Sequence, residues 1–487
     1  MLLLSELIAK AGLSATVTGD AHVEISHVTT DSRSVQPGSL FAAMPGVHAN
    51  GAAFIKDAVR SGASAILMAD AAMADLAVAQ VQVKDMRAAV SAVAAAFYPA
   101  QPQYCVAITG TDGKTSTADF VRQLALASGL DAASLGTLGL RSEYHALNEE
   151  FPANNTSPEP VLLHRTLSQL AKNGVEVAAI ETSSHGLDQK RADGVRFAAG
   201  AFTNLTRDHL DYHGTAEAYF TAKARLFSEV LAAGSLAVLN ADDAQFAALQ
   251  AICAKRALRV LSFGEAAQAD YRVENVTPHA NGLDASLVLR GTKYQISLPL
   301  YGAFQLSNML AAIGLLQAAG LSEEKLVTLL PTLQGVPGRL EKIAVYNEAP
   351  IFIDYAHTPA ALANILQTLR AHTTQHLHVV FGCGGDRDAG KRPEMGAAAA
   401  AFADKVIVTD DNPRSEDPAA IRAAIMAQAP CATEIPDRDA AIRFAIQQLQ
   451  AGDVLVIAGK GHETTQTIGS KVIPFNDADH IRKAVAA

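Results

Sequence analysis

Short apolar runs that end in glycine or acidic residues recur along the chain, and several lead into stretches with helical spacing. The run CVAI at 105–108 ends in a glycine loop and then enters TSTADFVRQLALASG. There Phe120, Val121, Leu124 and Ala125 repeat at helical intervals, and Gly129 can stop the helix. VEVAAIE and GSLAVLN read as buried strands followed by polar loops. The last third repeats the design: HLHVVFG leads into CGGDRDAGKRPEMG, DKVIVTD into DNPR, and DVLVIAG into KGHE. Strands alternating with helices predict an α/β chain with mainly parallel sheets. Ligands of such sheets gather outside the carboxyl ends of the strands. The three strand ends carrying Gly, Arg, Asp and Glu are therefore expected to form one site. The opening MLLLSELIAKAGL meets Glu6 early and predicts a short helix rather than a signal peptide.

Two proline-bearing breaks, YPAQPQY at 98–104 and QGVPGRLE at 334–341, divide the chain. They predict three domains, over 1–100, 101–337 and 338–487, the middle one a P-loop-type, mainly parallel sheet and the last one Rossmann-like. A length of 487 residues itself calls for more than one hydrophobic core. With 49% apolar and 18% charged residues the chain is globular rather than disordered. A formal net charge of −10 and the lack of Trp argue against nonspecific nucleic-acid binding. The four cysteines lie far apart with no Cys-x-x-Cys pair, so neither a zinc site nor a disulfide framework is expected. No apolar run is long enough to span a bilayer. A cytoplasmic monomer without membrane insertion is the resulting expectation.

The chemistry concentrates at TGTDGKTS. A phosphate loop normally places four residues between its first glycine and Gly-Lys-Ser/Thr; here only Thr111 and Asp112 separate Gly110 from Gly113. A strand, a glycine loop and a helix N-terminus are the context that phosphate needs. Lys114 can neutralise β/γ phosphates, and Thr115 can hold Mg²⁺. Taken alone, the shortened loop fits a tight strand-to-helix turn equally well. Glu181 ends an apolar run, where a metal-binding carboxylate would stand; a helix-capping or ion-paired glutamate fits the same position. Lys223 in YFTAKARLFSE reads by itself as a helix lysine facing solvent.

TGTDGKTS resembles the ATP loop of the Mur ligases and their folylpolyglutamate synthetase relatives, which commonly read TGTNGKT. Asp112 is the departure, since that family usually carries Asn. IETSSHGLDQKR, FTNLTRDHLDYHG, TTDSRSVQPGSLF, IDYAHTP and GKGHE resemble the members that add the third residue of the peptidoglycan peptide. The resemblance implies ATP binding by Gly110, Thr111, Asp112, Gly113, Lys114, Thr115 and Ser116, with Asn308, Arg339 and Asp354 as further nucleotide contacts. It implies catalytic roles for Lys114, Glu181, His209 and Lys223, with Mg²⁺ held by Thr115, Glu181, His209 and a CO₂-derived carbamate on Lys223. A UDP-MurNAc-dipeptide would meet Ser32, His48, Ala49, Thr156, Ser157, Ser183, Gln189 and Arg191. In these terms the N-terminal domain binds the UDP substrate, the central one ATP and the last one the amino acid.

The amino acid is meso-diaminopimelate or L-lysine in that branch, and the two differ by a distal carboxylate. A planar guanidinium suits a carboxylate bidentately, and Asp411-Asn412-Pro413-Arg414 matches the DNPR motif of the diaminopimelate-adding members. Arg414 would pair the distal carboxylate, Glu463 would accept from the distal ammonium, and Arg387 and Gly459 complete the match. The implied reaction passes the γ-phosphoryl of ATP to a carboxylate and lets an amine attack the acyl phosphate. The residues name no clear base, although His357 is a candidate. Folylpolyglutamate synthetase has no reason to carry the UDP-type segment or DNPR. A non-catalytic scaffold has no reason to keep Lys114, Thr115, Glu181, His209 and Lys223.

Overall fold

The computed structural model describes residues 1–45, 50–69, 72–151, 156–206 and 208–486. The chain divides into two compact units, one of residues 1–271 and 308–326, the other of residues 272–307 and 327–487. Among the described residues, no helix is long and apolar enough to cross a membrane.

The first unit holds two α/β sheets. The smaller runs Thr16–Thr18, Ala79–Gln82, Ala63–Met68, Ser39–Ala42, His27–Thr29, parallel except for its first strand. In the larger, Tyr104–Thr109 sits between Val177–Glu181 and Phe197–Phe202, followed outward by Leu236–Asn240 and Arg259–Gly264, all parallel. Strands covered on both faces read as continuous apolar runs, and every residue of Val177–Glu181 is buried, the terminal glutamate included. Helix Lys114–Ala127 forms where the spacing predicts it, burying Phe120, Val121, Leu124 and Ala125, and Gly129 follows at φ 85°. RDHLDYH, expected as a polar loop, contains a single helical turn at Leu210–His213. The two sheets are tied by an ion pair of Lys190 with Asp85 at 2.6 Å and by Ser91 donating to the Lys190 carbonyl at 2.6 Å.

The second unit carries a hairpin, Gly282–Leu289 with Thr292–Leu298, and a sheet ordered Glu341–Tyr346, Ala349–Asp354, Val454–Ala458, Leu377–Phe381, Lys405–Val408, Thr433–Glu434. Only the first strand of that sheet is antiparallel. The predicted runs HLHVVFG, DKVIVTD and DVLVIAG are thus adjacent, and their carboxyl ends lie along one edge. Beneath that edge Arg438 and Asp477, both fully buried, form a two-bond ion pair at 2.7 Å. Arg438 also donates to the Ala458 carbonyl at 3.0 Å, fixing the strand end that leads into Gly459.

Stranding one member of a buried ion pair costs about 3–5 kcal/mol, whereas replacing both with apolar groups costs little. Asp477→Ala should therefore lower the urea midpoint sharply, and Arg438→Met combined with Asp477→Leu should recover most of the loss. Equal losses in the single and double variants would show that the stranded charge is not the cause.

Candidate active site

The glycine loop follows the central strand of the larger sheet. Gly110 has φ 146° and Gly113 φ 83°, and the latter caps the helix in the left-handed region. A Cβ on Gly110 would collide with the Thr203 hydroxyl, and one on Gly113 with the Asn308 amide. Both glycines are therefore required by close approach as well as by conformation. The loop is pinned through its backbone: Thr111 N donates to Asn204 O at 2.9 Å, and Asp112 N to Asn204 Oδ1 at 2.9 Å. Thr203 Oγ1 donates to Asp112 O at 2.6 Å. Asp112 is exposed, and among the described residues its carboxylate makes no hydrogen bond or ion pair. Helix Lys114–Ala127 then turns its N-terminus toward the loop, where backbone N–H groups and the helix dipole favour an anion. Ser116 is buried in its first turn.

Lys114 folds back over the loop, donating to Gly110 O at 3.0 Å and Thr111 O at 2.6 Å. Thr115 Oγ1 donates to Glu181 Oε2 at 3.1 Å. Glu181 is 2% exposed at the tip of the strand beside the loop strand. Its carboxylate also accepts from Thr137, through the backbone N–H at 2.9 Å and the hydroxyl at 3.1 Å. Thr137 Oγ1 in turn lies 3.1 Å from Thr156 Oγ1. Thr137 follows the strand Ala132–Gly136, and a lone threonine after a strand carries no signal in the sequence. A buried carboxylate beside a hydroxyl is a hard-oxygen donor set of the kind Mg²⁺ prefers.

Lys223 is 1% exposed, not a solvated helix lysine. Its Nζ donates to Gly110 O at 2.7 Å and lies 4.4 Å above the Tyr219 ring. Burial, reinforced by the nearby Lys114 ammonium, pushes its pKa down from 10.5 to about 6, against the opposing pull of Asp208 and Asp112. Tyr219 shares a hydrogen bond with the Thr111 hydroxyl at 3.1 Å, and burial raises its phenol to about 12. Beside it stand His185, His209, Tyr212 and His213, with ring centroids of His185 and His209 at 4.9 Å and of His213 and Tyr219 at 5.3 Å. Burial holds His185 and His213 below the usual histidine range. His209 has φ 50°, is about half exposed and pairs with Asp208 at 3.3 Å. Among the described residues no three or more His, Cys, Asp or Glu side chains gather closely enough to hold a metal ion.

A cleft of about 760 Å³ in the same unit is lined by Ser32, Gln189 and Arg191 together with Arg33, Arg87 and Glu159. Ser32 sits in a short turn capped by Asp31. Arg191 donates to Ser157 O at 2.7 Å and to Gln189 Oε1 at 2.8 Å. Ser157 Oγ donates to Glu181 O at 3.1 Å and accepts from Ser183 N at 2.8 Å, while Ser183 Oγ caps the helix Ser184–Asp188. These hydroxyls tie the cleft to the Glu181 strand. His48 and Ala49 lie outside the described residues.

In the second unit, both oxygens of buried Asp354 accept backbone bonds, from Leu340 N at 2.8 Å and Ala356 N at 2.7 Å. Burial raises its pKa, with Arg339 opposing. The Arg339 guanidinium stands 5.4 Å from the Tyr355 ring. At the sheet edge Asn412 Nδ2 donates to Glu463 Oε2 at 2.9 Å, and Gly459 has φ 109° where a Cβ would press on Asp411. Arg414 has φ 52°, unfavourable for a long side chain, and donates to Gly385 O at 2.7 Å. The hairpin Thr465–Ile468 with Lys471–Pro474 imposes this conformation: Arg414 N donates to Thr467 O at 3.1 Å, and Gly469 N to Arg414 O at 2.7 Å. Gly385 N donates to Asn412 O at 2.9 Å, which joins the Pro413 turn to the glycine loop carrying exposed Arg387. Lys460, between the two glycines of GKGHE, is fully buried against Glu463. A lysine between two glycines at a strand end was the available signal for it.

The chain belongs to the Mur ligase family, matching the models of its catalytic domain at residues 24–98, its middle domain at 108–316 and its glutamate ligase domain at 338–461. It is 47% identical over 480 residues to UDP-N-acetylmuramoyl-L-alanyl-D-glutamate--2,6-diaminopimelate ligase of Rhizobium meliloti, covering 97% of each chain. It is 48% identical over 471 residues to the protein of the same name from Bradyrhizobium diazoefficiens, covering 96% of each. A solved structure of a ligase of that name superposes with a TM-score of 0.72 at 34% identity over 95% of both chains.

The depressed Lys223 amine has a consequence for stability. Between about pH 6 and 10.5 the unfolded chain binds a proton on Lys223 that the folded chain does not. This residue therefore opposes folding most at the acid end of that window, and the penalty fades as pH rises. In CO₂-free buffer, Lys223→Met should raise the urea midpoint near neutrality and flatten its rise toward alkaline pH. An unchanged pH dependence would contradict a neutral buried amine.

Proposed function

We propose that this protein is an ATP-dependent, ADP-forming amide ligase of peptidoglycan synthesis that joins meso-2,6-diaminopimelate to UDP-MurNAc-L-Ala-D-Glu. The observation that carries this reading is a Lys114–Thr115–Glu181 phosphate loop in a chain similar end to end to ligases whose names state that reaction. The expected segments divide the work: 1–100 takes the UDP moiety, 101–337 ATP, and 338–487 the amino acid.

The glycine loop and helix N-terminus bind the ATP phosphates, and Lys114 leaves the loop carbonyls for the β/γ oxygens. Asn308, packed on Gly113, Arg339 and Asp354 serve the nucleotide. Mg²⁺ bound by Thr115 and Glu181, with His209 and a modified Lys223, would offset phosphoryl charge as it develops. The neutral Lys223 amine can add to CO₂, losing one proton and becoming an anionic carbamate. The remaining N–H can keep its bond to the Gly110 carbonyl. Ser32, Gln189 and Arg191 orient the UDP-dipeptide in the cleft, and His48, Ala49, Thr156, Ser157 and Ser183 complete its contacts. The γ-phosphoryl passes to the dipeptide carboxylate, which by itself is a poor acylating agent. The diaminopimelate amine displaces phosphate from the acyl phosphate, leaving the amide and ADP. Arg414 pairs the distal carboxylate and Glu463 the distal ammonium, with Arg387, Asp411, Asn412, Pro413 and Gly459 shaping the pocket. The cysteines are free thiols and three are buried, which suits a reducing cytoplasm; the working unit is the monomer.

Phosphate release from ATP, measured with UDP-MurNAc-L-Ala-D-Glu plus meso-diaminopimelate, L-lysine or no amine, tests the reading. Turnover is expected with diaminopimelate alone; turnover with lysine alone, or none at all, would reject it. Arg414→Ala should raise the KM for diaminopimelate about tenfold or more, the worth of a charge-assisted contact, with little change for ATP. Equal changes in both would place Arg414 outside the amino-acid pocket.

A further inference from the structure

Lys460 occupies an unusual position for a lysine. It is 0% exposed, set between Gly459 at φ 109° and Gly461 at φ 53°. Those two left-handed turns direct its side chain inward beneath the pocket that carries Glu463. An ammonium has three N–H donors, and here there are three acceptors: Thr465 O at 2.7 Å, Glu463 Oε2 at 2.9 Å and Asn412 Oδ1 at 3.3 Å. Its donors are spent on the protein, and it is closed to solvent, so it cannot itself bind substrate.

Its partners form a closed triangle. Asn412 Nδ2 donates to the same Glu463 Oε2 at 2.9 Å, and Asn412 Oδ1 also accepts from Thr467 N at 2.9 Å. Gln466 Nε2 donates to Asp411 O at 2.7 Å, locking the hairpin to the DNPR turn. One carboxylate oxygen of Glu463 is thus held by two donors. The other makes no hydrogen bond to any described residue, and the side chain is 33% exposed.

We propose that Lys460 is a positioning residue that sets the stereochemical selectivity of the amino-acid pocket. By fixing one oxygen of Glu463 it leaves a single, directed acceptor for the substrate's distal ammonium. This rests on the diaminopimelate reading above. The distal carbon of that substrate carries an ammonium, a carboxylate and the connecting chain. Glu463 fixes the first and Arg414 the second, while the reacting end fixes the third. Three fixed points read configuration, provided that none can swivel. Without its lysine the Glu463 carboxylate keeps only the Asn412 Nδ2 bond and can offer either oxygen more readily, so the reading blurs. A pocket for L-lysine would need no such fixing, because its distal carbon is not a stereocentre.

The test is steady-state kinetics of the full chain with meso-diaminopimelate, LL-diaminopimelate and L-lysine, in wild type, Lys460→Met, Glu463→Gln and the double variant. Lys460→Met should raise the KM for meso-diaminopimelate about tenfold or more, and shift those for ATP and the UDP-dipeptide less than about twofold. Its preference for the meso over the LL isomer should shrink. The double variant should be no worse than Glu463→Gln alone, because the lysine acts only through that carboxylate. Multiplied losses in the double variant, or wild-type KM and preference in Lys460→Met, would overturn the proposal. If Lys460→Met melts early, Lys460→Gln carries the same comparison: its neutral donor should retain part of the preference, and a folded Lys460→Gln with wild-type KM and preference would overturn the proposal equally. A wild-type protein that ignores diaminopimelate would instead overturn the reading on which the proposal rests.

Discussion

Two lysine nitrogens share one carbonyl oxygen. Lys114 and Lys223 both donate to Gly110 O, at 3.0 and 2.7 Å. Two ammonium groups on one acceptor in a buried site repel, and the deeper one gives up its proton more readily. Lys114 stands at the helix start, where it can reach solvent or a phosphate; Lys223 is enclosed. Burial and the neighbouring Lys114 therefore set the two lysines apart, one at the mouth of the loop and one as an enclosed amine of lowered pKa. The left-handed Gly113, the Thr203 hydroxyl and the Asn204 backbone all serve to hold the Gly110 carbonyl where both can reach it.

The second unit solves a related problem with different means. Its parallel strands end in acids and glycines, and the acids must be aimed without being neutralised. Asp354 is aimed by two backbone N–H groups, and Glu463 by a buried lysine and an amide. The strained φ of Arg414 is held by the hairpin, which bonds its N–H and its carbonyl. Strain of this kind persists only where the surroundings over-determine it. Here the same hairpin also grips Asp411 and Asn412, so one short element orients the whole turn from Asp411 to Arg414.

Local patterns made the strands, the helix after the loop and the glycine loop itself readable from sequence. Each depends on neighbours a few residues away, as do Glu181 at its strand tip and DNPR at its turn. The partners of those residues were not readable. Thr137 reaches Glu181 across 44 positions and Lys460 reaches Asn412 across 48, and no spacing rule links them. The state of Lys223 was hidden for the same reason. Its helix looks ordinary, and only the tertiary burial of its amine, reinforced by Lys114, lowers its pKa. The helical turn in RDHLDYH escaped because its residues are polar, and its packing comes from the ring contacts among His185, Tyr212 and His213.

Asp112 shows how a chemically surprising residue can be geometrically neutral. The contacts that shape the loop use its N–H and its carbonyl, and an asparagine would make the same ones. Its carboxylate is exposed to solvent. What the acid adds is a negative charge near Lys223 and Tyr219, which raises both pKa values against the effect of Lys114 on the lysine. An acid rather than an amide here thus leaves the path of the loop unchanged and only slightly opposes the lowering of the Lys223 pKa. A loop whose geometry is fixed by glycines and backbone bonds is free to vary its charge at the tip.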